Sequence, residues 1–270
     1  MAKTFVVTGA SKGATLDPPL YFADLSTGIG LAITKYLVSA SHQVIIVARS
    51  GDLLEEIRKQ NPQQVRALAG DLSDFSLARQ AVDLAINEFG ALNGLIINHG
   101  AIFGVSRLVD CDINEWRKLF DINYFSALAF VRNKVLPLQP STNGVQTKAA
   151  LPELRKTKGS VVITSSGAST GAYSAWGAYS ASKAVLNSLA NQIACEERDV
   201  SAFAIRPGVA DTGMQKEVRE VHSAAMEDKD NAKFRKAHQE GTILQPEQPG
   251  HVIAKLAVEP DKSLNGRYLR

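Results

Sequence analysis

The sequence predicts an α/β fold, a doubly wound and mostly parallel sheet of about seven strands with helices on both faces. Three observations carry this. Short runs rich in Val, Ile and Thr alternate with longer segments of helical periodicity, the pattern of strand–helix–strand units joined by right-handed crossovers. Most strand candidates are apolar along almost their whole length, as strands buried on both faces must be. A chain of 270 residues, 45% hydrophobic and 21% charged, is long enough for one domain over 1–270 with a sizeable core.

The elements can be justified in order. The first strand is Thr4–Thr8. A helix follows over Ile29–Ser39, with Ile29, Ile33 and Leu37 at four-residue spacing. Strands are expected at Gln43–Ala48 and Val65–Ala69. Leu77, Val82, Leu84, Ala85 and Phe89 give the segment from Ser76 to Glu88 an apolar stripe, so it reads as a helix. Strands at Gly94–Ile97, Ser160–Thr164 and Ser201–Ile205, a helix from about Ala178 to Arg198, and a last strand over Leu264–Leu269 complete the series. Two stretches break the rhythm. Residues 14–28, with Asp17-Pro18-Pro19, and residues 138–153 carry turn residues and no periodicity. Both read as inserted loops of uncommon length.

Composition narrows the function classes. Net charge is +3, with Lys and Arg scattered apart from small groups such as Arg155-Lys156-Thr157-Lys158. A nucleic-acid surface needs basic residues gathered on one face, so no nucleic-acid partner is expected. The two cysteines, Cys111 and Cys195, stand far apart with no CxxC pair or Cys/His cluster, so no metal site is expected. No apolar run reaches about 18 residues, and the first residues enter a strand directly instead of a signal sequence. No membrane association and a cytoplasmic location are expected.

The first strand runs into Thr8-Gly9-Ala10-Ser11-Lys12-Gly13, and Gly28-Ile29-Gly30 opens the next helix. Glycines at a strand-to-helix turn let backbone N–H groups approach a phosphate, whose charge the helix N-terminus favours. Gly9, Ser11, Lys12, Gly13, Gly28, Ile29 and Gly30 are the candidate phosphate cradle. After the second strand the chain reads Val47-Ala48-Arg49-Ser50, with no acid to accept from a ribose 2′-hydroxyl. Arg49 offers a planar guanidinium to a 2′-phosphate, and Lys12 adds a second cation. NADP(H) is the cofactor these residues suit.

The chemistry-bearing set lies further on. Tyr179 and Lys183 are four apart on a predicted helix and project from one face. Ser166 stands thirteen residues before Tyr179, at the C-terminal end of a strand, the edge where open α/β sheets bind ligands.

These motifs resemble the short-chain dehydrogenase/reductase family. The resemblance rests on a TGxxxGxG turn interrupted by residues 14–28, Asn98-His99-Gly100 in place of Asn-Ala-Gly, and Asn123 in Asp121-Ile122-Asn123. It rests also on Ser166, the Tyr179-x-x-x-Lys183 pair and Pro207-Gly208-x-x-x-Thr212. It covers nearly the whole chain apart from the inserts. Ser165–Ser169 together with Leu264–Leu269 is similar to fungal members related to benzil reductase and sepiapterin reductase.

The resemblance implies a Rossmann-like sheet and NADPH-dependent reduction of a ketone or dicarbonyl to an alcohol. Tyr179 would be the general acid or base, its pKa of about 10 lowered by the Lys183 ammonium together with the positive charge of oxidised nicotinamide. Ser166 would hydrogen-bond the substrate oxygen. Lys183 would also hold the nicotinamide ribose, and Asn123 would anchor a water leading from Lys183 to solvent. Asp71 and Leu72 would flank the adenine, Asn98 would line the cofactor, and Pro207, Val209 and Thr212 would lie against the nicotinamide. Gly213–Gln245 would form a lid, with Met214, Val218, Val221 and Met226 as substrate-side residues and Phe103, Ala172, Tyr173 and Trp176 beside them. Helices near Asn123–Asn133 and Ala178–Arg198 would make a homodimer or homotetramer interface. The alternative is an impaired chain of the same fold, whose split glycine turn binds cofactor weakly.

Overall fold

A computed structural model describes residues 1–10, 28–132 and 150–270. Among them one seven-stranded parallel sheet runs in the order β3-β2-β1-β4-β5-β6-β7. The strands are β1 Thr4–Thr8, β2 Gln43–Ala48, β3 Val65–Ala69, β4 Gly94–Ile97, β5 Ser160–Thr164, β6 Ser201–Ile205 and β7 Tyr268–Leu269. The chain starts in the middle, winds outward through β2 and β3, then returns to place β4 on the other side of β1. This reversal opens a crevice above the C-terminal ends of β1 and β4.

Alternation along the strands fills two cores. Phe5, Val7, Val44, Ile46, Ile96, Val162 and Phe203 face one side, against α1 (Ile29–Ser39), α2 (Gly51–Gln60) and α10 (Glu247–Val258). Val6, Ile45, Val47, Leu95, Ile97, Val161 and Ile163 face the other. There they meet α3 (Ser76–Phe89), α5 (Ser126–Val131), α6 (Ala150–Thr157) and α7 (Gly177–Glu196). Each fully buried Ile, Leu or Phe contributes about 1.5–3 kcal/mol of transfer free energy, so strands apolar on both sides are what a two-sided core requires. A third cluster, including Ile102, Phe103, Leu119, Trp176, Val218 and Phe234, sits over the C-terminal edge. It is built in part from α4 (Ile113–Phe120), α8 (Gly213–Glu220) and α9 (Asp228–Gln239).

Two expectations are corrected here. The second loop was expected to run to Glu153, but α6 begins at Ala150, whose side chain is buried with Glu153 and Leu154. Pro152 falls in the first turn, where a missing N–H costs the helix nothing. Only residues 138–149 of that loop lie outside the described residues. The last strand is also shorter than Leu264–Leu269. Lys262–Leu264 is a 3-10 turn capped by Asp261, and Gly266 has φ +76°, which no extended strand accommodates. Pairing resumes only at Tyr268.

Candidate active site

Above the crevice lies a cleft of about 710 Å3. Gly9, Gly28, Ile29, Gly30, Arg49 and Ser50 line one end of it, with Asp71, Leu72 and Asn98 beside them. Ser166, Tyr179, Lys183, Pro207, Val209 and Thr212 line the other. Asn123 does not reach the cleft and is wholly buried beneath it. Ser11, Lys12 and Gly13 lie outside the described residues, as does the interrupting segment up to Thr27.

The glycines are dictated by close approach. A side chain on Gly30 would lie 2.1 Å from the Gly9 carbonyl oxygen, and Gly9 itself has φ +68°. The end of β1 and the start of α1 therefore abut, although residues 11–27 separate them in sequence. Gly28 precedes α1 in extended conformation, and among the described residues no side chain caps the helix there and none lies within 4 Å of the Cβ a side chain would place at Gly28. The first-turn N–H groups of α1 thus face the cleft, and a helix N-terminus there suits a phosphate. Arg49 stands at the rim beyond it, and its positive charge reaches Glu217 on α8. Burial drives the Glu217 carboxyl up to about 7, with Arg49 opposing.

At the inner end, helix α7 brings Tyr179 and Lys183 under the exit of β5. Both are buried, and the Lys183 Nζ lies 6.0 Å from the Tyr179 ring centre. Lys183 donates to the Thr164 carbonyl at 3.0 Å. The Ser166 Oγ accepts from the Ala168 N–H at 3.1 Å, and the Tyr179 hydroxyl donates to Met214 Sδ at 4.0 Å. The electrostatics depart from the expected lowering of the tyrosine. Burial pushes the Tyr179 phenol above its ordinary value of 10, with the Ser166 side chain opposing. Burial also pulls Lys183 down to about 8. Desolvation penalises phenolate and ammonium alike, and it outweighs their mutual attraction.

The Asn123 side chain is fully engaged with protein groups. Its Oδ1 accepts from the Ala101 N–H at 2.7 Å, and its Nδ2 donates to the Ala101 carbonyl at 3.0 Å and to Ser182 Oγ at 2.9 Å. The amide is taken up by protein groups and clamps the chain after β4 to α7. It sits in a π-turn, Asp121–Phe125, between α4 and α5. The neighbouring His99 is buried and bridges Thr8 Oγ1 at 2.7 Å and Ser126 Oγ at 2.6 Å. Ser126 gives its own proton to the Ile122 carbonyl at 2.5 Å. It must accept from Nε2–H, which leaves Nδ1 to accept from Thr8. Burial, with the Lys183 charge, lowers His99 to about 3, so the ring is neutral. Asn98 ties the ends of three strands together through Thr8, Gly9 and Thr164.

The substrate end is apolar and aromatic. Phe103, Tyr173, Trp176, Met214 and Val218 line it as expected positions. The Trp176 ring stacks on Phe234 at 5.4 Å and meets Tyr179 edge-on at 5.5 Å. Two expected positions fail. Val221 is 67% exposed and Ala172 faces solvent, and neither lines the cleft. Met226 is buried behind the wall. Thr212 lines the cleft and also caps α8, accepting from Gln215 N at 3.4 Å. Phe234 and Ile102 line the cleft without having been foreseen. Phe234 had a signal, as the lone aromatic in the charged run Asp228–Gln239.

The short chain dehydrogenase family profile matches residues 24–223. An uncharacterized oxidoreductase of Schizosaccharomyces pombe is 35% identical over 257 residues, covering 94% of this chain and 96% of that one. A benzil reductase ((S)-benzoin forming) of Saccharomyces cerevisiae is 34% identical over 284 residues, covering 100% of this chain and 96% of that one. The crystal structure of a short chain dehydrogenase/reductase from Saccharomyces cerevisiae superposes with a TM-score of 0.85 at 34% identity. It covers 99% of this chain and 95% of that one. Among the described residues no helix is long and apolar enough to cross a membrane.

Proposed function

The chain belongs to the short-chain dehydrogenase family and is an oxidoreductase, and from that premise we propose that it uses NADPH to reduce a ketone or dicarbonyl to an alcohol. The observation that carries the reading is one continuous cleft with two differently equipped ends. One end offers the N-terminus of α1 and the Arg49 guanidinium, and the other Ser166 with the buried Tyr179 and Lys183. The first end fits a pyrophosphate with a 2′-phosphate beyond it. The missing side chains of Gly9 and Gly30 let the end of β1 and the start of α1 close on each other. Their contact supports an active chain over one impaired by its interrupted turn.

The bound cofactor supplies the hydride. Ser166 donates to the carbonyl oxygen of the substrate and stabilises the charge that develops there. Tyr179 gives its proton to that oxygen. Because burial holds the phenol above its ordinary pKa, Tyr179 is protonated throughout the physiological range, the state a reduction needs. Lys183, near 8, shares its proton between ammonium and amine close to neutrality and can return one toward Tyr179. Asn123 holds α7 against the chain after β4, fixing the depth of Lys183. Phe103, Trp176 and Phe234 exclude water and offer flat apolar surface to a substrate with aromatic or alkyl flanks. The named benzil reductase supports that class.

The test is NADPH oxidation with aromatic and aliphatic vicinal diketones. Tyr179→Phe should lower kcat by at least about 100-fold while the Kd for NADPH changes little. Turnover by the variant at the wild-type rate would sink the assignment.

A further inference from the structure

We infer that Asn187 is a positioning residue for this reaction, holding Ser166 at its working place beside Tyr179 by way of Ser169. The inference rests on the roles just given to Ser166 and Tyr179. Asn187 follows Tyr179 by eight residues and Lys183 by four on α7, so the three share one helix face. Its Oδ1 accepts from Ser165 Oγ at 2.6 Å, and its Nδ2 donates to Ser169 Oγ at 2.9 Å. An amide nitrogen can only donate. Ser169 therefore accepts there, and its single proton goes onward to the Ser166 carbonyl, 2.6 Å away. On the far side, the Tyr268 hydroxyl donates to the same carbonyl at 2.8 Å.

The backbone of Ser166 is thus gripped from α7 on one side and β7 on the other. Its hydroxyl is oriented from within by the Ala168 N–H. Ser169, Asn187 and Tyr268 do not line the cleft, so they act on the chemistry through the residues they hold, Ser166 foremost. The consequence is mechanical. The helix that carries Tyr179 and Lys183 also sets the position of Ser166, and the three groups keep one geometry when α7 shifts. A displacement of the reacting groups of order 1 Å is enough to slow catalysis strongly.

The experiment compares Asn187→Ala, Ser169→Ala, Ser169→Thr and Tyr179→Phe. In Asn187→Ala and Ser169→Ala, kcat should fall about tenfold with the Kd for NADPH unchanged within about twofold. The high-pH limb of kcat/KM should move to higher pH, because the Ser166 side chain opposes the upward push of burial on the Tyr179 phenol. Ser169→Thr, which restores the hydroxyl, should recover both. The double variant should be no worse than either single one. Wild-type kcat and pH profile in Asn187→Ala and Ser169→Ala, alongside an inactive Tyr179→Phe, overturn the positioning role alone. An active Tyr179→Phe overturns the reading of the site beneath it. Should Asn187→Ala not fold, Ser169→Ala decides the matter, since it removes one half-buried hydroxyl and leaves the helix intact.

Discussion

Arg49 and Glu217 show how single charges shape the outer end of the cleft. Arg49 stands where an acid would otherwise receive a ribose hydroxyl, and one or two charge-assisted bonds to a 2′-phosphate are worth about 1.5–3 kcal/mol each. Arg49→Glu should weaken NADPH roughly 10- to 100-fold and tighten NADH, as read by fluorescence titration. An unchanged preference would refute the 2′-phosphate role. Glu217 makes a prediction of opposite kind. Its folded pKa, about 7, lies above the ordinary 4.5. A carboxyl raised in this way lends its stability below 4.5 and loses it as pH climbs through 7. Glu217→Gln should therefore melt higher than the wild type at pH 8, and the difference should vanish near pH 4.5. A gap that persists at low pH would count against burial as the cause. At this scale the sequence made much plain and hid much. The four-residue step from Tyr179 to Lys183 was legible because helical spacing is local. The upward shift of Tyr179 was not, because it comes from burial by elements far away in the chain. Val221 looked like a pocket residue for its apolar side chain alone, and nothing local told which way α8 would turn it.

Elements were easier to read than their ends. Six strands start and stop where the sequence places them, since most are apolar along nearly their whole length and buried on both faces. Helix α6 escaped notice because Pro152 reads as a breaker until its place in the first turn is known. The π-turn at Asp121–Phe125 was invisible, because one extra residue does not disturb an apolar stripe enough to show. Yet it places Asn123 against Ala101 and Ser182, and such turns recur at functional sites. The joint between β1 and α1 gives the clearest prediction at this level. Gly30→Ala would set a methyl 2.1 Å from the Gly9 carbonyl oxygen, a backbone atom that cannot yield cheaply. Overpacking of this kind costs about 1–3 kcal/mol or more, which lowers Tm by at least a few degrees for a chain of this size. NADPH affinity should fall with it. A variant with unaltered Tm and affinity would show that strand and helix are not in contact.

On the scale of the molecule, the two cores lie on opposite faces of the sheet, and everything chemical lies along one edge of it. That arrangement was foreseeable from the alternation of strands and helices, and the third cluster over the edge was not. Its residues are scattered from Ala101 to Phe234, so no window of sequence contains it. The interrupted turn belongs to this scale too. Since Gly9 and Gly30 already touch, excision of residues 14–27 should leave a folded chain that binds NADPH at least as well as the full one. Titrating both proteins side by side checks this, and loss of binding on excision would assign the segment a part in holding the cofactor.

The grip on Ser166 closes a span of 102 positions between Ser166 and Tyr268, and β1 finds its partner β4 some 90 residues on. Contacts between distant stretches of chain form slowly, after local helices and much of the apolar collapse. Refolding should therefore pass through an interval in which the protein has regained its helical circular dichroism and cannot yet turn over substrate. The return of activity would then time the moment at which the last strand docks.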